Sequence, residues 1–522
     1  MKNHQIEAAW AYHNGTKHSY QSIRTNSHAL DWENRPLPFK IYPELEPIPL
    51  PENLSSSAMA AIAAISSVAA ESATGANLSR QSLAEILFLS AGVTKRRHYP
   101  GGEMLFRAAA CTGALYHIDL YVVCGELTDL DAGVYHFSPQ DFSLRRLRAG
   151  DYRSVLVDAS GEELAIVNAP CVIVSASTFW RNAWKYQSRA YRHCYWDNGT
   201  VLANLLAAAA SRRVPAKIVV GFVDATLNRL LGLDSQREAP LSLAALGDSP
   251  QRRIEPAPPL TALTLETLPL SKRIIDYPAM RDMHEASTLA SREEVAAWRK
   301  GKDKMEGGGI ENEGKSQNRL LPLQLLSDQE LAGDSVDDVV MRRGSTREFA
   351  RASISFTQLS TMLDRATRGI PADFLAGAGD SLNDIYLIVH AVDGLPPGAY
   401  YYRRAEHALE LLKDGDFRGE AGYLGLGQEI PADCSVNVYF LADLTSTLEN
   451  FGNRGYRAAE LEAAIMGGKL YLAAYAQRLG ASGLTFFDDD VTEFFSPHAE
   501  GKSVMFLIAL GKSVKQKGLN VI

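Results

Sequence analysis

No uninterrupted apolar run in the 522 residues reaches the roughly 18 needed for a spanning helix. The opening MKNHQIEAAW also lacks an apolar core of signal-peptide length. A cytoplasmic protein without membrane contact is expected. Cysteine is scarce: Cys111, Cys124, Cys171, Cys194 and Cys434 are the five, and none sits in a CxxC or at ligand spacing with histidine. That argues against structural zinc, leaves no metal expected, and fits a reducing compartment. Cationic excess is missing too. A net charge of −8 and a pI near 5.9 speak against a general nucleic-acid binder. With 46% hydrophobic and 22% charged residues, the composition is ordinary for a globular chain long enough for two or three domains.

What the chain does have is a repeat. Lys185 to Arg192 reads KYQSRAYR and Asn450 to Arg457 reads NFGNRGYR, so Arg189, Tyr191 and Arg192 recur as Arg454, Tyr456 and Arg457 at a spacing of 265. Extended without a gap, that spacing pairs Gly133 with Gly398, Tyr135 with Tyr400, Arg153 with Arg418, Arg213 with Arg478, Phe222 with Phe487 and Asp224 with Asp489. Two copies of one fold in one chain imply a fused dimer about a pseudo-twofold axis. The copies differ where chemistry is at stake, because Lys185 and Tyr186, which exchange protons, become Asn450 and Phe451, which do not.

Taken in order, residues 1–55 read as a polar and then proline-rich extended arm, since the closely spaced prolines of FKIYPELEPIPLPENL forbid regular helix. Residues 56–250 form the first domain. Helices are expected over Ala58–Ala70, Ser79–Gly92 and Tyr191–Arg212. Strands are expected at Leu120–Cys124 and Cys171–Ser175, apolar without alternation as in a sheet covered on both faces, and the domain ends with Leu241–Gly247. Residues 251–325 read as a connector with a flexible linker. Within it, Gly309 to Ser316 spells a P-loop, but no strand feeds it and no helix leaves it, so no nucleotide site is expected. Residues 326–522 repeat the order: helices over Val336–Arg342 and Ser355–Arg368, strands at Ile385–Val389 and Val436–Leu441, the repeat helix after Tyr456, and a last strand Val504–Leu510. The class is α+β. Asp488, Asp489 and Asp490 are expected to cap a helix, not to hold a metal. Cys111 is expected to be a small packed residue.

Candidate anion ligands fall in the second domain. Arg342, Arg343, Ser345 and Arg347 crowd one helix end, and guanidinium forks beside a hydroxyl suit a phosphomonoester. Aligned through the helices that follow, the first domain has Ser66, Ser67, Ala69 and Glu71 there, and Gly511-Lys512-Ser513 stands where it has Gly247-Asp248-Ser249. One phosphate bound once, by the second domain, accounts for both differences. The first domain offers instead a small-residue turn, RAAACTGALY from Arg107 to Tyr116, of the kind that lets backbone approach a flat ligand.

On YHNGTKHSYQSIR, LDWENRPLPFKIYP, RAAACTGALYHIDLYVV, WKYQSRAYRHCYWDNG and GFVDATLNRLLGLDSQREAPLSLAALG, the whole chain resembles the nitroreductase-like flavoproteins. Within them it resembles the azoline dehydrogenases of thiazole and oxazole peptide maturation. The resemblance implies two tandem nitroreductase-like domains and one FMN in their interface. Arg342, Arg343, Ser345, Arg347 and Lys512 would hold the phosphate, and Gly483, Leu484, Thr485 and Phe486 would lie near the reactive nitrogen. Ala110, Cys111, Thr112 and Gly113 would approach from the first domain, and Lys185 and Tyr186 would be the catalytic pair, either of them the base. It also implies a heterocyclic substrate, free or carried on a peptide or carrier, with a cyclodehydratase or peptide synthetase as possible partner. An NAD(P)H-dependent nitro or quinone reductase and a flavin-bearing docking subunit are the alternatives. The chain departs from the family with Ala110 and Cys111 for Pro and Ser, His117 for Pro, and Thr200 for His.

Overall fold

The apolar, unalternating segments become the central strands of two sheets. In the computed structural model, which describes residues 2–67, 78–99, 102–249, 255–305, 319–377 and 379–514, Ile118–Cys124 and Cys171–Thr178 are buried along their whole lengths. They are the fourth and fifth strands of a seven-stranded antiparallel sheet. Its order is Pro47–Pro49, Ser143–Ala149, Gly133–Ser138, Ile118–Cys124, Cys171–Thr178, Glu238–Leu246 and Ala216–Val219. The second sheet repeats that order with Leu320–Pro322, Ala408–Asp414, Gly398–Arg403, Asn383–Val389, Val436–Ala442, Ser503–Gly511 and Gly480–Leu484. In both copies a short proline-bearing strand forms one edge, where a missing N–H costs no ladder bond.

Finer features repeat as well. Ser79 and Ser355 each close a capping box on the helices Arg80–Ala91 and Phe356–Ala366. Arg213 and Arg478 end the long helices with the same left-handed turn, at φ 56° and 61°. Those helices, Ala190–Ser211 and Asn453–Ala476, cross through small residues. A Cβ on Gly199 would lie 2.4 Å from that of Ala464, and one on Gly468 would lie 2.6 Å from that of Ala203. Close approach at the crossing buries nearly every side chain on both helices, so the two domains share one core.

Three expectations need correction. The N-terminal arm is not extended throughout: Glu7–Gly15 and Tyr20–Thr25 are helices, and the proline-rich stretch alone supplies the edge strand Pro47–Pro49. Residues 251–325 are not merely a connector, because Pro278–Ala286, Arg292–Arg299 and Gly301–Met305 are helical. The P-loop-like Gly309 to Ser316 lies outside the described residues, as do Ala69, Glu71 and the end of the helix expected over Ala58–Ala70, which is seen as Ala61–Ser66. The repeat also slips by one residue after Arg478. Asp488, not Asp489, does the work of Asp224, and it is the first residue of the helix Asp488–Phe495, whose cap position is Phe487. Asp488 is therefore an ion-pair partner and not a helix cap.

Candidate functional site

Two arginines from each repeat motif reach across to an aspartate of the other domain. Arg189 donates to Asp488 at 2.9 Å and Arg192 at 2.7 Å. Arg454 and Arg457 donate to Asp224 at 2.6 and 2.9 Å. The N-terminal helix completes the first set: Arg192 donates to His13 O at 2.8 Å and to Thr16 Oγ1 at 3.2 Å, and Arg189 to Thr16 O at 2.6 Å. The helix Pro278–Ala286 completes the second identically, with Arg457 on His284 O at 2.8 Å and Ser287 Oγ at 2.8 Å, and Arg454 on Ser287 O at 3.0 Å. That helix is the structural repeat of Glu7–Gly15. Burial pushes both aspartates up, but the paired guanidiniums prevail and hold each at about 2.

Beside the first set lies a cavity of about 850 Å³, a size typical of small-molecule and cofactor sites. The first domain lines it with the turn Ala110, Cys111, Thr112 and Gly113 and with Lys185 and Tyr186. The second domain lines it with Ser345, Arg347, Gly483, Leu484 and Thr485. Sequence residues far apart are thus brought to one chamber. Phe486 is buried behind the wall, 5.7 Å from the Trp196 ring. Arg342, Arg343 and Lys512 are not on the wall. Arg342 donates to Asp334 at 2.6 Å and to Tyr475 O at 2.8 Å, and buried Arg343 ties the domains together through Ala108 O at 2.7 Å and Arg107 O at 2.9 Å. Lys512 is exposed outside the chamber. Of the five expected phosphate ligands, Ser345 and Arg347 face the cavity.

Lys185 and Tyr186 end the helix Phe179–Tyr186, and the ammonium lies 5.2 Å above the phenol ring. The Lys185 side chain is exposed; partial desolvation, and then the Arg347 charge, lower its pKa. Burial, helped by the Asp197 carboxylate, raises that of Tyr186. The lysine is moved toward its neutral form and the tyrosine is kept protonated. His193, edge-on to the Tyr186 ring at 4.7 Å, is held neutral by burial.

Asp197 on the long helix shapes the turn, and the sequence reading did not single it out. It accepts the Thr112 amide at 2.8 Å, the Thr112 hydroxyl at 2.7 Å and the Cys111 thiol at 3.0 Å, and lies 2.9 Å from His117 Nε2. Thr200 donates to Ala110 O at 2.7 Å. Thr200 directly, and His117 through Asp197, therefore fasten the turn. Burial and the neighbouring carboxylate push the Cys111 thiol well above its ordinary value, so it is a packed hydrogen-bonding group. Cys111, His117 and Asp197 form a group compact enough to chelate, their atoms within 4.8 Å, and the contacts to Asp197 are hydrogen bonds. The available signal was Glu462, the carboxylate at the equivalent position, which accepts the Leu382 amide at 2.9 Å.

Around Asp224 the counterpart space is closed. The amides of Val220 and Gly221, just past the strand that corresponds to Gly480–Leu484, donate at 2.8 and 3.0 Å to the buried carboxylate of Asp373. Trp298, from Arg292–Arg299, packs 5.4 Å from the Phe451 ring and against Gly221. At the open site the equivalent helix, Tyr20–Thr25, buries none of its side chains, and Thr485 Oγ1 is buried without a partner among the described residues.

Residues 340–512 match the nitroreductase family. Over 178 residues the chain is 28% identical to MJ1384 of Methanocaldococcus jannaschii, provisionally named a nitroreductase, covering 34% of this chain and 83% of that one. Over 184 residues it is 27% identical to the trifolitoxin operon protein TfxC of Rhizobium leguminosarum bv. trifolii, covering 30% of this chain and about half, 52%, of that protein. A crystal structure from Anabaena variabilis, provisionally described as a nitroreductase, superposes with a TM-score of 0.78 at 26% identity, covering 97% of this chain and 99% of that one. Residues 340–512 thus match the nitroreductase family, and the chain has a nitroreductase-like α+β fold along its whole length.

Proposed function

We propose that the protein is an FMN-dependent oxidoreductase that dehydrogenates a heterocycle, thiazoline to thiazole or oxazoline to oxazole, on a peptide or carrier-bound substrate. The observation that carries this reading is Lys185, its proton affinity lowered, facing Arg347 of the other domain across the chamber. The residues present fit the cofactor. Arg347 is exposed to the cavity and Ser345 stands beside it, two groups suited to phosphate. Thr485, whose buried hydroxyl has no partner among the described residues, and the adjacent Gly483 and Leu484 suit a polar ring edge, where the closed counterpart has the Asp373 carboxylate.

FMN, when bound, supplies a two-electron acceptor. The chain supplies the rest. Lys185 in its neutral form takes the ring proton, and Tyr186, kept protonated, donates a hydrogen bond to the substrate anion as charge develops. The turn Ala110–Gly113, fixed by Asp197, holds the ring plane, and Gly113 is required because a Cβ there would lie 2.8 Å from the Tyr186 hydroxyl. The name of TfxC, a trifolitoxin operon protein, supports a place in peptide natural-product assembly, with a cyclodehydratase or peptide synthetase as partner. The nitroreductase names of the other relatives support a second reading, an NAD(P)H-dependent reductase.

Anaerobic mixing of the FMN-loaded protein separates the two. Flavin bleaching by a thiazoline peptide and not by NADPH is expected. Rapid bleaching by NADPH alone would put the reductase reading first.

A further inference from the structure

The residue after the Lys185–Tyr186 pair sits in a backbone conformation made for glycine. Gln187 has φ 50° and ψ −141°, and the equivalent position in the second domain is Gly452, at φ 65° and ψ −162°. A non-glycine residue there costs stability, and such strain persists where the surroundings impose it. Nothing in the packing repays it, since the side chain is only half-buried and lies on the cavity wall.

The hydrogen bonds show what the side chain leaves free. His28 N donates to Asn26 Oδ1 at 3.0 Å, which fixes the orientation of that amide. Asn26 Nδ2 then donates to Gln187 Oε1 at 3.1 Å, so the Gln187 oxygen is taken and its Nε2 hydrogens have no acceptor among the described residues. Asn26 also lines the cavity. Counted from the helix caps Ser19 and Ser291, Asn26, which ends its helix, takes the sequence position of Trp298. Where one interface has Gly452 and a filling indole, the other has two linked carboxamides with N–H groups on the chamber wall.

We infer that Gln187 is a specificity-determining residue, whose Nε2 donates to a carbonyl oxygen of the bound molecule, such as the amide carbonyl attached to a peptide-borne azoline ring. This rests on the reading of the cavity as an azoline site. A carbonyl acceptor is also present on FMN, so the experiment must separate the two sources.

The probes are 2-methylthiazole-4-(N-methyl)carboxamide and 2,4-dimethylthiazole, the same ring with and without the carbonyl. Their Kd values are measured by calorimetry on FMN-loaded wild type, Gln187→Ala and Gln187→Gly. Wild type should prefer the carboxamide by roughly three- to tenfold, the range of one neutral hydrogen bond. Both variants should lose that preference with FMN affinity, measured by fluorescence quenching, unchanged. Gln187→Gly should melt no lower than wild type, having relieved the strain, whereas Gln187→Ala retains it. No preference in wild type, a preference surviving in both variants, a lower melting temperature for Gln187→Gly, or a loss of FMN affinity in place of ligand discrimination would each overturn the assignment. Thiazoline-dependent bleaching, measured separately, tests the dehydrogenase reading itself.

Discussion

The two domain interfaces carry the same frame and opposite contents. At each, two arginines clamp an aspartate of the other domain, and a short helix offers a backbone carbonyl and a hydroxyl to the same guanidiniums. What both share is scaffold, however charged it looks. What they do not share is Lys185 for Asn450, Tyr186 for Phe451, Gln187 for Gly452, Asn26 for Trp298, and an open wall at Leu484 and Thr485 where the closed side has Asp373 on the Val220 and Gly221 amides. On the proposed reading, function is concentrated in the residues that break the pseudo-symmetry.

The sharpest way to break this comparison is to remove the proposed base on the open side. Lys185→Ala should lower kcat on an azoline peptide by about 10²- to 10⁴-fold, the usual contribution of a general base. Asn450→Ala should leave kcat within about twofold, with FMN content equal in both. Equal activity in wild type and Lys185→Ala would make the lysine a surface group.

The frame itself predicts the next effect. Removing one partner of a buried ion pair costs about 3–5 kcal/mol, because the other charge stays buried. Asp224→Asn and Asp488→Asn should therefore each lower unfolding stability by that order in denaturant titration. Asp488→Asn should also disturb ligand binding, since Arg189 lines the cavity, while Asp224→Asn should not. Both carboxyls are held at about 2 when folded, against about 3.9 in an unfolded chain, so their stabilisation is present above pH ~4 and fades as pH falls toward 2.

These pairs also mark how far the sequence could be read. The repeat, the central strands and the helix caps were legible because each is a local pattern with a fixed period or spacing. Lys185 and Tyr186 stood out because Asn450 and Phe451 lack the same chemistry, and the structure sets Lys185 and Tyr186 on the cavity wall. Arg342 and Arg343 misled, because a run of guanidiniums states charge but not direction, and both groups found carbonyls or a carboxylate nearer than the cavity. The helix Glu7–Gly15 and its repeat Pro278–Ala286 were missed because they are short, and what fixes them is a set of arginines distant in sequence. Asp197 was missed because its partners, Cys111, Thr112 and His117, converge on it only through the fold.

A smaller effect sharpens the count of sites. Arg347→Ala should weaken FMN binding by roughly tenfold or more, as expected for a charge-assisted contact worth about 1.5–3 kcal/mol. Lys512→Ala, outside the chamber, should change it little. The loaded protein should carry one FMN per chain, released by heat and read by absorbance, because the counterpart space is filled by Trp298 and Asp373. Two flavins per chain would end the asymmetry on which the whole site rests.

The smallest predicted effect joins the two domains directly. Lys185 belongs to the first domain, yet part of the depression of its pKa comes from Arg347 of the second. A base depressed in this way is neutral at a lower pH than a free lysine, so kcat/KM should rise with pH through a value below the ordinary ~10.4. Taking away the Arg347 charge removes one cause and leaves partial desolvation, so the limb should move to higher pH and remain below the ordinary value. The sign is fixed: a nearby cation disfavours the protonated ammonium, and its loss favours it. The profile must be recorded at saturating FMN, so that weaker cofactor binding in Arg347→Ala does not mimic a shift. Were the limb of Arg347→Ala to coincide with that of wild type, the two domains would share a cavity without sharing its electrostatics, and Arg347 would be a cofactor ligand alone.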